Sequence, residues 1–97
     1  MHFKDRELQA FWISPTKCRM RRIPPPLHKA VFRKLQLMDA AEAAKCLNDL
    51  RVPPGNRLEA LRGDREGQYS IRVNDQWRIC FRWTEFGIVG VELVDYH

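Results

Sequence analysis

The chain has 97 residues, a length at which one domain spanning residues 1–97 is expected and two are nearly excluded. A hydrophobic fraction of 44% beside a charged fraction of 30% is typical of a folded, soluble protein and argues against a disordered one. No apolar run approaches the roughly 18 residues of a membrane helix. Residues 1–6 also lack the apolar core of a secretion signal, so we expect a cytoplasmic protein without a membrane partner.

The basic residues outnumber the acidic ones by 17 to 12, and twelve of the 17 are arginine. Because the planar guanidinium group suits bidentate contact with phosphate, this bias favours nucleic acid or an acidic protein as the partner. The cysteines at positions 18, 46 and 80 lie far apart, without a CxxC pair. We therefore expect reduced thiols and neither a zinc finger nor a disulfide framework. No metal and no cofactor is expected elsewhere in the chain, since the sequence has no carboxylate cluster with metal-ligand spacing.

Helical spacing of apolar residues marks the first half of the chain. It predicts a short helix over residues 5–12, followed by a basic loop, Ile13–Arg22, that is either a solvated connector or a phosphate-contacting loop. An apolar stripe that begins at Leu27 and continues through Val31 and Leu35 predicts a second helix ending near residue 44.

Strand patterns fill the second half, after a break at Pro53-Pro54-Gly55-Asn56. Short turns separate the strands, so neighbours should pair antiparallel and the fold class is α+β. The predicted strands are Leu58–Arg62, Gln68–Val73, Gln76–Trp83 and Val89–Tyr96.

Alternation predicts the register of the central hairpin. A three-residue loop, Asn74-Asp75-Gln76, places Ile71 opposite Ile79 and Tyr69 opposite Phe81. One of the three loop residues is expected to take a left-handed backbone conformation.

The same alternation gives the sheet one apolar face and one basic face, which we call the arginine face. Val89, Val91 and Leu93 are expected on the apolar face. A five-residue turn, Gly63–Gly67, would set Arg62 opposite Gln68 on the arginine face. The residues expected on the arginine face are Arg62, Gln68, Ser70, Arg72, Arg78, Cys80, Arg82, Gly90, Glu92, Val94 and Tyr96.

Such a face is either an ordinary solvated surface or a site for a polyanion. Because Arg72 falls opposite Arg78 and like charges in that position destabilise a sheet, a polyanion that neutralises them is the better explanation.

Four segments resemble the HigB-type killer proteins, toxins of bacterial toxin–antitoxin pairs within the RelE superfamily. The resemblance covers roughly residues 3–97 and is specific because the motifs occur together. The matching segments are Leu50–Leu61 (LRVPPGNRLEAL), Gly63–Ile71 (GDREGQYSI), Asn74–Arg78 (NDQWR) and Val94–His97 (VDYH).

The resemblance implies a RelE-like fold, with N-terminal helices packed on one face of a curved antiparallel sheet. It implies a ribosome-dependent, metal-independent endoribonuclease that enters the ribosomal A site, cleaves translated mRNA and inhibits growth. It also implies a HigA-like antitoxin with a helix-turn-helix domain, through which alone the pair would bind operator DNA.

In the family, activity is assigned to positions that correspond here to Arg62, Arg78, Asp95, Tyr96 and His97. Arg62 and Arg78 are expected to clamp the phosphate, and His97 to act as general base or acid. Tyr96 would stack on a base or donate a proton, and Asp95 would orient His97 or act as base.

The remaining basic residues of the face, together with a neighbouring amide, are expected to follow the RNA backbone; they are Arg72, Arg82 and Gln68. Several relatives have lysine where this chain has Arg62, and arginine is a poor proton donor. The loop Ile13–Arg22 is longer than usual and the N-terminal strand shorter.

Two other functions fit the same residues. The chain is alternatively a catalytically weak or inactive module that binds RNA, the ribosome or an antitoxin. A DNA-binding regulator is a third hypothesis, which the lack of an evident recognition helix weakens.

Overall fold

A computed structural model describes residues 1–96, and the expected site residue His97 lies outside the described residues. The helices are α1 (Arg6–Ile13) and α2 (His28–Ala44), and the strands are β1 (Glu59–Ala60), β2 (Tyr69–Arg72), β3 (Trp77–Thr84) and β4 (Gly87–Asp95). Short 3-10 helices cover Pro25–Leu27, Leu47–Arg51, Pro54–Asn56 and Gly63–Arg65. The α+β class predicted from the sequence is confirmed.

Asp5 starts α1 and also ties it to the sheet. One carboxylate oxygen accepts a hydrogen bond from the backbone N–H of Leu8 at 3.1 Å, which caps the helix. The other oxygen accepts from the backbone N–H of Leu93 in β4, also at 3.1 Å. At the N-terminus, where the sequence indicated a strand shorter than in the family, Phe3 and Val91 form a single parallel bridge.

The basic loop packs against α1 more closely than a solvated connector would. Met20 and Ile23 are buried, and Arg22 pairs with the carboxylates of Asp5 and Glu7. These contacts occupy one of the four basic side chains of the loop and fix its path over the molecule.

The four strands form one antiparallel sheet in the order β1-β2-β3-β4. The hairpin register is confirmed: Ile71 lies opposite Ile79 and Tyr69 opposite Phe81. The prediction of a left-handed residue in this loop is wrong, since within residues 1–96 the non-glycine residues with positive φ are Lys45 and Arg57, both outside the loop. Instead the Asn74 side chain accepts hydrogen bonds from the N–H groups of Gln76 and Trp77 and closes the turn without a left-handed residue.

The predicted pairing of Arg62 with Gln68 is also wrong. Leu61 donates its N–H to the carbonyl of Gln68 at 2.8 Å, because the 3-10 turn after Arg62 lengthens the connection by one residue. Strand β1 is only two residues long, and this register places Glu59 opposite Ser70. A shift of one residue exchanges the faces of a strand, so Glu59 takes the side of the sheet predicted for Arg62.

A β-bulge between Cys80 and Arg82 overturns the predicted placement of Val89. Gly90, with φ +66°, takes up the irregularity, and Val89 then lies opposite Arg82 instead of on the apolar face. Ile88 occupies the apolar side in its place and is fully buried. The predicted placements of Val91 and Leu93 on the apolar face are confirmed.

The core lies between α2 and the apolar face of the sheet. Four residues of the predicted helical stripe are buried there, namely Val31, Leu35, Met38 and Ala41. Ile71, Ile79 and Phe81 meet them from the sheet and are also fully buried. Helix α2 therefore packs on the apolar face and not on the opposite one. Within residues 1–96, no helix has both the length and the apolar character needed to cross a lipid bilayer.

Candidate active site

The arginine face is built from the outward side of β2, β3 and β4. Ser70 and Arg72 lie opposite Cys80 and Arg78, respectively. Val94 lies opposite Arg78 on the other neighbouring strand, and Glu92 lies opposite Cys80. The structure therefore brings together the residues of β2 and β3 that alternation predicts for this face, including the like-charged pair Arg72 and Arg78.

Arg78 lies at the centre of this face and is only 9% exposed, so it is nearly buried and is not an ordinary solvated surface arginine. Its Nε donates to the Ser70 hydroxyl at 2.8 Å, and its Nη2 donates to the Arg57 carbonyl at 2.7 Å. Within residues 1–96, the acidic oxygen paired with Arg78 is that of Glu59, 3.9 Å from Nη2, and the Glu59 side chain is 57% exposed. The guanidinium is therefore held mainly by neutral acceptors and keeps an incompletely neutralised charge.

Tyr96 lies beside Arg78, as predicted. The Arg78 guanidinium carbon is 5.7 Å from the centre of the Tyr96 ring, a cation–π distance. The Tyr96 backbone N–H donates to the carbonyl of Gln76, which holds this residue against the start of β3. The phenol is 42% exposed, so it is open to a ligand that approaches Arg78.

Asp95 faces away from Arg78. It lies opposite Trp77, whose side chain is on the apolar face, and its carboxylate accepts a hydrogen bond from Gln76 Nε2 at 3.0 Å. The structure therefore brings Tyr96 and Arg78 together but places Asp95 on the other side of the strand.

Arg65 is a member of this site that the sequence reasoning missed. Its Nη1 donates to Gln68 Oε1 and to Glu92 Oε2, each at 3.1 Å, and the hydrogen bond to Glu92 raises the pKa of Arg65. Lys4 reaches the same Glu92 oxygen at 3.6 Å. The position of Arg65 inside the GDREG motif was the available signal, but alternation along strands does not extend into turns.

Arg72 lies at the end of β2, where it pairs with Asp75 in the hairpin turn. The hydrogen bond and the charge of Arg72 hold the pKa of Asp75 below its ordinary value. On α2, burial first and then the charges of Arg33 and Arg72 lower the pKa of Lys34. Positive charge thus continues from the arginine face onto the side of α2.

Arg82 is exposed and extends over the turn that precedes β2. A Cβ atom added at Gly67 would lie 2.6 Å from Arg82 Nη1, so this glycine makes room for the arginine side chain. Arg62 is exposed at the start of the same turn, outside β1. Gln68 is held by Arg65, as described above.

The three cysteines are free thiols. Burial raises the pKa of Cys80, even though the charges of Arg65 and Arg78 act in the opposite direction. The structure of residues 1–96 contains no group of three or more His, Cys, Asp or Glu side chains arranged to hold a metal ion.

Comparison with known proteins identifies the family. Residues 1–97 match the HigB-like toxins, described as the RelE-like toxin of the type II toxin–antitoxin system HigB. Toxin HigB-1 of Vibrio cholerae serotype O1 is 44% identical over 96 residues, which cover 99% of this chain and 92% of that protein.

Two further relatives are less complete. An uncharacterized protein of Haemophilus influenzae is 40% identical over 84% of this chain and 76% of its own length. Endoribonuclease HigB of Proteus vulgaris is 42% identical over 42% of this chain and 45% of its own length. The family match spans residues 1–97, and the similarity to the Vibrio cholerae toxin covers nearly the same range. The chain therefore belongs to the HigB-like toxins of type II toxin–antitoxin systems, and this membership implies an antitoxin as its partner.

Proposed function

We propose that the chain is a ribosome-dependent endoribonuclease that cleaves translated mRNA without a metal ion, and that the arginine face is its active site. The observation that carries the proposal is the cation–π contact of Arg78 with Tyr96 on the arginine face. Family membership and the endoribonuclease name of the Proteus vulgaris relative support the reaction class.

Cleavage of RNA without a metal uses the ribose 2′-hydroxyl as the nucleophile. Its oxygen attacks the adjacent phosphorus, its proton passes to a base, and the bond to the 5′-oxygen breaks as that oxygen takes a proton. The products are a 2′,3′-cyclic phosphate and a 5′-hydroxyl end. The enzyme must supply a base, an acid and positive charge for the phosphate oxygens.

Arg78 is proposed to bind the phosphate oxygens, since its guanidinium is fixed and its charge is incompletely neutralised. Tyr96 is proposed to contact the nucleotide or to donate a proton, and His97 to act as base or acid. Asp95 is proposed to orient the end of the chain. Its carboxylate is held by the Gln76 amide, which favours this role over direct proton transfer to or from the RNA. Arg62 is proposed to add positive charge from the neighbouring turn.

Arg72, Arg82 and Gln68 are proposed to follow the RNA backbone on either side of Arg78. The exposure of Arg82 and the partial exposure of Arg72 support contact with a ligand as large as RNA. Arg65 joins this group through its bonds to Gln68 and Glu92.

The proposed partners follow from the proposed reaction and from the family. The ribosomal A site would present the mRNA, which places the reaction in the cytoplasm. A HigA-like antitoxin with a helix-turn-helix domain would neutralise the toxin and would alone connect it to operator DNA.

Primer extension on a translated message, with and without the protein, tests this proposal. We expect breaks at codon-related positions that require translation and that leave 5′-hydroxyl ends, the product of the metal-free reaction. Arrest of translation without breaks would contradict the nuclease and would favour the alternative function, an RNA- or ribosome-binding module of the same fold.

A further inference from the structure

The segment Pro53–Arg57 belongs to one of the motifs that identify the family, yet the proposed chemistry assigns it no role. It crosses the molecule between the helical half and β1, and ends at Arg57, whose backbone is left-handed with φ 44° and ψ 58°. This conformation turns the Arg57 carbonyl towards the sheet, where it accepts a hydrogen bond from Arg78 Nη2 at 2.7 Å.

Asn56 holds this turn in place from inside. It is fully buried, and its side-chain amide donates to the carbonyls of Leu50 and Val52 at 3.1 and 3.3 Å. Its side-chain oxygen accepts a hydrogen bond from Lys34 of α2. Since every side-chain polar atom of Asn56 is used, the turn is tied to two other elements at the residue before Arg57.

Ser70 supplies a second contact on a different edge of the same guanidinium. Its side chain is fully buried, and its hydroxyl oxygen accepts from Arg78 Nε at 2.8 Å. Contacts at Nε and at Nη2 fix both the plane of the group and its rotation. Among residues 1–96, the hydrogen bonds of Arg78 use Nε and Nη2 and none uses Nη1, so these residues leave its two N–H groups to a ligand.

We propose that Ser70 and the Asn56–Arg57 turn are positioning groups that hold the Arg78 guanidinium with Nη1 available to the scissile phosphate. This inference rests on the proposed function of the arginine face. Both acceptors are neutral, so they orient the cation without cancelling its charge. An acidic partner in their place would neutralise it. The fixed geometry spares the reorganisation that a mobile surface arginine would undergo at each turnover.

Single-turnover cleavage of mRNA on programmed ribosomes tests the role of Ser70. We expect Ser70→Ala to lower the maximal cleavage rate by about tenfold or more while binding to the programmed ribosome changes little. Ile79→Val, on the core face of the neighbouring strand β3, is the matched control for lost stability. Cleavage by Ser70→Ala at the rate of this control would overturn the role of Ser70.

A pair of substitutions at Arg57 separates its backbone from its side chain. Glycine and valine both remove the charge, but only glycine adopts positive φ without strain. We therefore expect Arg57→Val to cleave about tenfold more slowly than Arg57→Gly. Equal rates in the two variants would overturn the role of the turn.

Nitrogen-15 NMR of the arginine Nε–H groups tests the positioning without requiring cleavage. We expect Arg78 Nε–H to exchange slowly with water in the unmodified protein and in Ile79→Val, and rapidly in Ser70→Ala. If the unmodified protein does not cut RNA, the proposed function fails. The exchange rates of Arg78 Nε–H then still decide whether Ser70 holds the guanidinium. Rapid exchange in the unmodified protein, or slow exchange in Ser70→Ala, would overturn it.

Discussion

The arginines of one sheet face differ sharply in how the protein holds them. Arg78 is nearly buried and anchored on two sides, whereas Arg82 is exposed and rests over Gly67. Arg72 is paired with Asp75 in the hairpin turn. Sequence alternation identified the shared face but not these differences, because the anchors of Arg78 come from another strand and from a turn.

The first prediction follows from this contrast. We expect Arg78→Ala to reduce the rate of RNA cleavage by about two to three orders of magnitude, because it removes a preorganised, positively charged hydrogen-bond donor. Arg82→Ala should reduce it only severalfold, because an exposed arginine contributes mainly to diffuse attraction of RNA. Cleavage rates measured at several salt concentrations check both. Equal losses would mean that the face acts only as general positive charge.

Arg78→Lys adds a control for charge. Lysine keeps the positive charge but has its donors on one nitrogen, so it cannot reproduce the separate contacts of Nε with Ser70, Nη2 with the Arg57 carbonyl and Nη1 with the phosphate. We expect Arg78→Lys to remain far below the unmodified protein in maximal rate. Full activity of this variant would show that charge alone suffices.

At the scale of elements, the two hairpins that join β2, β3 and β4 show where alternation succeeds and where it fails. The spacing of apolar residues gave the correct register for the hairpin joining β2 to β3, because a slip there would bury charge. It failed along β4, where the bulge at Gly90 exchanges the faces of Val89 and Ile88. A strict period of two contains no signal for an extra residue, although a glycine inside an apolar strand was a hint.

This correction gives a prediction on stability. We expect Ile88→Ala to lower the free energy of unfolding by about 2–5 kcal/mol, since Ile88 is fully buried. Val89→Ala, on the arginine face, should cost less than about 1 kcal/mol. Urea denaturation of both variants measures the difference. A larger loss at Val89 would contradict the observed register.

The turns were the least predictable elements. The turn before β2 was expected to begin at Gly63, but the pairing of Leu61 with Gln68 makes Arg62 its first residue. The turn contains a 3-10 helix, and Arg62 lies outside the strand. Asn74 closes its hairpin with its side chain, which a rule based on backbone conformation did not anticipate. Local hydrogen bonds decide such geometry, and apolar spacing does not report them.

At the scale of the whole molecule, Glu42 joins α2 to the start of the chain and to the edge of β4. Its carboxylate accepts from the N-terminal ammonium of Met1 at 2.9 Å and from the backbone N–H of Ile88 at 2.7 Å. Burial raises the pKa of Glu42, but the bond from Ile88 and the nearby ammonium outweigh it and lower the pKa overall.

The lowered pKa has a consequence for acid stability. A carboxyl group whose pKa is lower in the folded than in the unfolded state stabilises the fold above the unfolded pKa, about 4.3, and this contribution is lost as the pH falls through the folded value. We expect Glu42→Gln to be destabilised by about 1 kcal/mol at neutral pH, with the difference narrowing below pH ~4. Unfolding measured against pH tests this, with the exposed Glu85→Gln as control. A difference that does not narrow in acid would contradict the assignment to the charge of Glu42.

The layered arrangement as a whole was predictable, because the amphipathic α2 covers one face of the sheet and leaves the other open. The combination of motifs in the chain predicted the family that the comparisons confirm. The partnership of Arg78 with Ser70 and with the turn at Arg57 was not predictable from spacing, since it joins three separate segments in space.

The central claim is that the arginine face and the adjoining end of the chain form an RNA-cleaving centre. Deleting Tyr96 and His97 tests it most directly, because Tyr96 is 42% exposed and is not part of the core of residues 1–96. We expect the shortened protein to keep the circular dichroism spectrum of the full chain and its melting temperature within a few degrees, and to lose both growth inhibition and cleavage of translated mRNA. A shortened protein that folds and still cuts mRNA at the full rate would contradict the claim.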